Sequence, residues 1–122
     1  MKLHASARSA LNTFTAYGEG YVSVNSQRHE TNLIVLPEQL LPWSATAFDA
    51  LTATDFDVFL GLKLEILLLG TGPKQRFPQA RLTQALAARR IGVEAMDLQA
   101  ACRTYNILMA EERRVAAALL FK

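Results

Sequence analysis

Leu64-Glu65-Ile66-Leu67-Leu68-Leu69 is a dense apolar run that stops at Gly70, the pattern of a central strand covered on both faces. Further on, Leu98, Ala101, Cys102, Tyr105, Leu108 and Met109 recur at offsets of three and four. That spacing predicts a helix with one apolar stripe, and Asp97 is well placed to cap it by accepting orphan backbone N–H groups. Val93 to Met96 before it and Val115 to Phe121 after it read as strands. Leu82, Ala85 and Leu86 predict a further amphipathic helix with Arg81, Arg89 and Arg90 outside, stopped by Gly92. Strands alternating with helices after residue 60 imply right-handed crossovers and a largely parallel sheet.

The first half has a different rhythm. Thr13 to Tyr17, Tyr21 to Val24 and Asn32 to Leu36 are β-prone and separated by polar turns at Gly18-Glu19-Gly20 and Asn25-Ser26-Gln27, as in an antiparallel meander. Pro37 and Pro42 bracket Glu38 to Leu41 and predict a connecting loop, because a fixed φ disfavours regular strand pairing. Thr54 and Asp57 stand in an approximate capping arrangement, and Phe56, Phe59 and Leu60 follow at helical spacing. The expected class is α/β: a three-layer single domain over residues 1–122, with a mixed, largely parallel central sheet to which the N-terminal meander is added.

Composition narrows the class. With 122 residues, 51% of them hydrophobic, the chain can bury the core of one domain. Its longest apolar run, Val115 to Phe121, falls far short of the roughly 20 residues that cross a bilayer as a helix. The opening Met1-Lys2-Leu3-His4-Ala5-Ser6 lacks the apolar segment of a secretory signal, so a cytoplasmic location is expected. The lone Cys102 predicts a buried structural thiol rather than a disulfide or metal pair. Residues 1–62 hold three basic against six acidic residues and residues 63–122 hold ten against five. This asymmetry leaves homodimerisation through complementary faces open. Neither DNA nor RNA binding is expected, since no aromatic platform or reader motif accompanies the positive charge.

Candidate chemistry is sparse. Gly70-Thr71-Gly72-Pro73-Lys74-Gln75-Arg76 lies between a buried strand and a helix, where ligands collect at strand carboxyl ends. Its backbone N–H groups, with Lys74 and Arg76, suit an anion, although it lacks the ending of a nucleotide P-loop and the third glycine of a dinucleotide fingerprint. The plain alternative is a tight turn. Asn106 can bridge backbone instead of ligand. Arg113 can pair with Glu111 or anchor a carboxylate or phosphate. His4 and His29 have no partner at ligand spacing, so no metal site is expected, and no serine has a nucleophile's context. Trp43, beside Pro42, either anchors a protein partner or closes the edge of a core. No catalytic residue and no cofactor are assigned.

Gly70-Thr71-Gly72, Gly92-Val93-Glu94-Ala95-Met96-Asp97, Ala101, Thr104-Tyr105-Asn106-Ile107-Leu108, Glu111, Arg113, Val115-Ala116-Ala117-Ala118-Leu119 and the early Trp43 together resemble the Mth938-like domain family, a domain of unknown function. The resemblance spans nearly the whole chain. It implies a compact three-layer α/β fold, and the family includes an assembly factor of mitochondrial respiratory complex I beside bacterial proteins without assigned activity. Two positions depart from the family pattern: Leu98 stands where Thr is usual, and Glu112 where Gly is usual between the Glu and the Arg. With no Arg-rich presequence, the chain resembles a free-standing bacterial member. The resulting expectation is a non-enzymatic protein-interaction or assembly module with an unknown protein partner. The alternative is a small-anion or cofactor-binding protein, possibly an enzyme, in which Gly70, Thr71, Gly72, Asn106 and Arg113 line one pocket.

Overall fold

The computed structural model describes residues 11–122. Strands β1 (Phe14–Gly18), β2 (Tyr21–Val24) and β3 (Gln27–His29) form an antiparallel three-stranded sheet. A second sheet holds β4 (Leu33–Leu36), β5 (Gln39–Pro42), β6 (Ile66–Thr71), β7 (Gly92–Met96) and β8 (Val115–Leu120), in the order β5-β4-β8-β6-β7. Pairs β5–β4 and β4–β8 are antiparallel, while β8–β6 and β6–β7 are parallel. The remaining elements are 3-10 helices at Phe48–Ala50, Ala53–Gly61 and Ala80–Leu82, with α1 (Gln84–Ala88) and α2 (Leu98–Ala110).

The period-two alternation of strand side chains divides the interior between two faces. Ile34 and Leu36 of β4, Leu67 and Leu69 of β6, and Ala116, Ala118 and Leu120 of β8 share one cluster with Trp43, Phe56, Phe59 and Leu86. Leu33 and Val35, Leu68, and Val115, Ala117 and Leu119 share the other with Phe14, Val22 and the stripe of α2. Both faces of β6 are covered, and Leu67, Leu68 and Leu69 are fully buried, each contributing about 1.5–3 kcal/mol by leaving water. The expected central strand and three layers are therefore present.

Several local expectations are corrected. The third meander strand is the polar Gln27–His29, not Asn32 to Leu36, and the meander forms its own sheet. Asn25 (φ 49°) and Ser26 (φ 71°) supply the two left-handed residues that a tight hairpin turn matched to strand twist requires. All four residues of β4 are buried, so they need cover on both faces and enter the large sheet instead. The stretch between Pro37 and Pro42 is an edge strand rather than a loop. Leu36 pairs with Gln39, which makes Pro37-Glu38 a two-residue turn whose preset φ suits its first position, and Pro42 sits at the end of an edge strand, where a missing donor is tolerated.

The helix near residue 56 starts at Thr52, with the Asp55 carboxylate accepting from Thr52 N at 2.9 Å and from its Oγ1 at 3.2 Å. Thr54 and Asp57 are not its cap. The helix around Leu86 ends through Arg90 at φ 60°, where Ile91 N donates to Leu86 O and Arg90 N to Ala87 O, a Schellman end with a non-glycine residue. Gly92 instead opens β7. Helix α2 begins as expected, Asp97 Oδ1 accepting from Ala100 N at 2.8 Å.

Candidate functional site

Gly70 lies in β6 where α2 crosses the sheet. A Cβ there would stand 2.8 Å from Leu119 Cδ2 and 3.3 Å from Ala101 Cβ, so glycine allows the close approach of helix to strand. Thr71, which ends β6, is fully buried. Its Oγ1 accepts from Arg76 N at 3.0 Å and lies 2.7 Å from Lys74 O and 3.2 Å from Met96 O. A hydroxyl has one proton, and the shorter contact marks Lys74 O as its main acceptor. Gly72 has φ +92°, in the region that favours glycine, and its carbonyl accepts from Leu98 N at 2.8 Å.

Arg76 and Gln75 of this loop turn onto the protein's own backbone. Arg76 Nη2 donates to Thr71 O at 2.9 Å, its guanidinium lies 4.5 Å from the centre of the Phe48 ring, and its Nε is buried with no hydrogen-bond partner. Gln75 Nε2 donates to Ala95 O at 2.9 Å, covering part of the β7 edge. A cavity of about 300 Å³ opens beside Gly72 at the start of α2, and its charged lining residues are Glu19 and Asp97. Two carboxylates there oppose an incoming anion electrostatically.

Asn106 lies elsewhere. Its Oδ1 accepts from Phe14 N and its Nδ2 donates to Phe14 O, both at 2.9 Å, so the side-chain amide stands in for a neighbouring strand. Beside it, Tyr105 OH donates to Asn12 O at 2.9 Å, and its ring meets Phe14 edge-on at 5.1 Å; burial raises the phenol's pKa well above the ordinary value. These contacts clamp the meander onto α2. Next to them Cys102 is buried, and desolvation pushes its thiol up to about 12, against the opposing charge of Arg103.

Arg113 is at the opposite end of β6 from the glycine loop, since Ile66 and not Gly70 pairs with Val115. The six residues of β6 hold the two ends roughly 17 Å apart at about 3.3 Å per residue. Gly70 to Gly72, Asn106 and Arg113 consequently line no common pocket. Nor does Arg113 pair with Glu111: its Nε lies 3.3 Å from Glu65 Oε1. Glu65 Oε1 also accepts from Arg114 N at 2.9 Å, and Arg114 Nε donates to Lys63 O at 2.9 Å. The Arg114 backbone bond chiefly, opposed by desolvation and helped by Arg113, holds the Glu65 carboxyl below its ordinary value. The reason for the changed pairing is the end of α2. Glu112 N donates to Met109 O and Arg113 N to Leu108 O, with Glu112 at φ 64°, so the chain reverses and delivers Arg113 to the strand.

A second cavity, about 290 Å³, opens at this end, bounded by the Pro37-Glu38 turn, by Leu62 to Leu64 and by Arg113 to Val115. Lys63 and Arg114, which no motif in the sequence singles out, join Arg113 there. The parallel pairing of β6 with β8 sets the residues preceding each strand side by side, which no spacing along the chain encodes.

Trp43 is 7% exposed. Its Nε1 donates to Asp55 O at 2.8 Å and its ring meets Phe56 and Phe59 edge-on, each at 5.9 Å. It closes the core instead of offering a surface anchor. His29 lies in β3, Nε2 buried without a hydrogen-bond partner, and His4 lies outside the described residues.

A family model described as a protein of unknown function (DUF498/DUF598) matches residues 14–120. Among solved structures, a Bordetella parapertussis protein is 46% identical with a TM-score of 0.85, covering 90% of this chain and 95% of that one. A Bordetella pertussis protein described as a Mth938-like domain is 39% identical with a TM-score of 0.80, covering 92% of this chain and 87% of that one. NADH dehydrogenase [ubiquinone] 1 alpha subcomplex assembly factor 3 of Danio rerio is 30% identical over 122 residues, 98% of this chain and 68% of that protein. The chain spans 58% of the human protein of the same name. With a family match over nearly all the described residues and an equally extensive structural likeness, the chain belongs to the DUF498/DUF598 family and carries the Mth938-like fold.

Proposed function

We propose that this chain is a non-enzymatic interaction module that assists the assembly of a respiratory-type multisubunit complex. The observation that carries the reading is its similarity, over 98% of its length, to a protein named as a complex I assembly factor. The hydrogen bonding supports it. The side chains marked in the sequence as candidate chemistry, Thr71, Asn106 and Trp43, bond the protein's own backbone, which gives each of them a place in the scaffold. No helix among the described residues is long and apolar enough to cross a membrane. The chain acts from the cytoplasmic side, in contact with membrane complexes.

Deletion of the gene in its native host tests the reading. The expected result is less fully assembled NADH dehydrogenase on native gels and lower NADH-driven quinone reduction, both restored by the wild-type chain. Tagged chain crosslinked in mild detergent should also carry subunits of that complex. Unchanged assembly and activity in the deletion strain, with no such subunit crosslinked, would refute it.

A further inference from the structure

We propose that the cavity at the amino-terminal ends of β6 and β8 binds a small organic anion bearing a carboxylate or phosphate, through Arg113, Arg114 and Lys63. This inference is independent of the assembly reading. The cavity, about 290 Å³, falls at the small end of the range of ligand sites, about 300–1,000 Å³. Its walls are mixed in the way such sites require: Leu36, Leu62 and Leu64 supply apolar surface, and Lys63, Arg113 and Arg114 supply positive charge.

The two arginines are held in place, not merely nearby. Arg114 Nε is fixed by Lys63 O at 2.9 Å, which leaves its two terminal nitrogens as a planar fork matched to a carboxylate or phosphate. Arg113 is oriented by Glu65 at 3.3 Å, and its backbone is fixed by Leu108 O at 3.0 Å. Lys63 sits at φ 54°, a left-handed conformation seldom taken by residues with a side chain. The opposing charge is Glu38 on the cavity rim and Glu65, which is already bonded to Arg113 and to Arg114 N. Lys63, Arg113 and Arg114 against Glu38 and Glu65 leave one net positive charge. By contrast, the cavity beside Gly72 carries only acidic charge, from Glu19 and Asp97. The carboxyl ends of the strands, weighed in the sequence as either a turn or an anion site, thus offer an anion less favourable charge than their other end.

Amide NMR titration of the folded chain with inorganic phosphate, succinate and a capped peptide of alternating Glu and Leu tests the site. Saturable shifts confined to residues 62–64 and 113–115, weakened at least about tenfold in Arg114→Gln and unchanged in Arg103→Gln, support it, since a charge-assisted bond commonly carries that much affinity. Succinate or phosphate saturating while the peptide does not identifies a free metabolite as the source. Tighter binding of the peptide identifies an acidic segment of another protein. Because Arg114 also braces Lys63 O, Lys63→Gln serves as the second variant and should weaken binding while retaining the native spectrum. No saturable shift for any probe at tens of millimolar, or equal weakening by Arg103→Gln, overturns the proposal.

Discussion

Replacing Asn106 by alanine removes the two 2.9 Å bonds that tie Phe14 N and Phe14 O to α2. Phe14 is 3% exposed, so water replaces the lost partners poorly, and each unmet backbone group costs about 1–3 kcal/mol. Allowing for partial rehydration, the expected loss is about 2–4 kcal/mol, a large share of the roughly 5–15 kcal/mol stability of a domain. Urea unfolding should show a midpoint lower by roughly 1–3 M at a slope of about 1.5 kcal/mol/M. Amide exchange should quicken first in β1, β2 and β3. Asn106→Asp sharpens the test. Its carboxylate can still accept from Phe14 N but faces Phe14 O with no proton, an environment that raises the folded-state pKa above the ordinary Asp value of about 3.9. Protonation restores a donor, so the deficit should be smallest below the unfolded pKa and grow as pH rises through the folded one. A loss below about 0.5 kcal/mol for Asn106→Ala, or a meander exchanging no faster, would refute the clamp.

Glu112→Gly should raise stability by about 1 kcal/mol in thermal unfolding, because the left-handed φ of 64° costs a residue with a Cβ about 1–2 kcal/mol and the lost surface contacts of Glu112 offset part of the gain. Gly70→Ala should destabilise by about 1–3 kcal/mol, since its Cβ would come within 2.8 Å of Leu119 Cδ2; calorimetry checks this. Cys102, with its thiol pushed up to about 12, should resist iodoacetamide at pH 8 and react only after unfolding, as followed by mass spectrometry. For Glu65, whose pKa is lowered from 4.5, the stability advantage over Glu65→Gln should be present at neutral pH and vanish as pH falls through the folded-state pKa; acid titration of unfolding midpoints reads the difference.

The two departures from the family pattern have different structural meanings. Glu112 occupies the left-handed position that ends α2, where a glycine carries no Cβ penalty, so the usual Gly has a backbone reason. Leu98 is the first residue of α2 and is 5% exposed within the cluster beneath the helix. A leucine there adds apolar contact, while its N–H remains bonded to Gly72 O.

Local composition alone determined the buried strand before Gly70, the Asp97-capped helix with its stripe from Leu98 to Met109, the hairpin turn at Gly18 to Gly20 and the α/β class, because side-chain periodicity and cap chemistry act between residues close along the chain. Periodicity could not identify β3, whose Gln27, Arg28 and His29 are polar, or β5, bracketed by prolines; both exist because a neighbouring strand completes them. Only the tertiary structure decided which polar residues meet. The expected convergence of Gly70 to Gly72, Asn106 and Arg113 failed because they occupy different ends and layers of the sheet. The actual grouping of Lys63, Arg113 and Arg114 arises from the parallel register of β6 on β8, a contact between segments about fifty residues apart that no local pattern specifies.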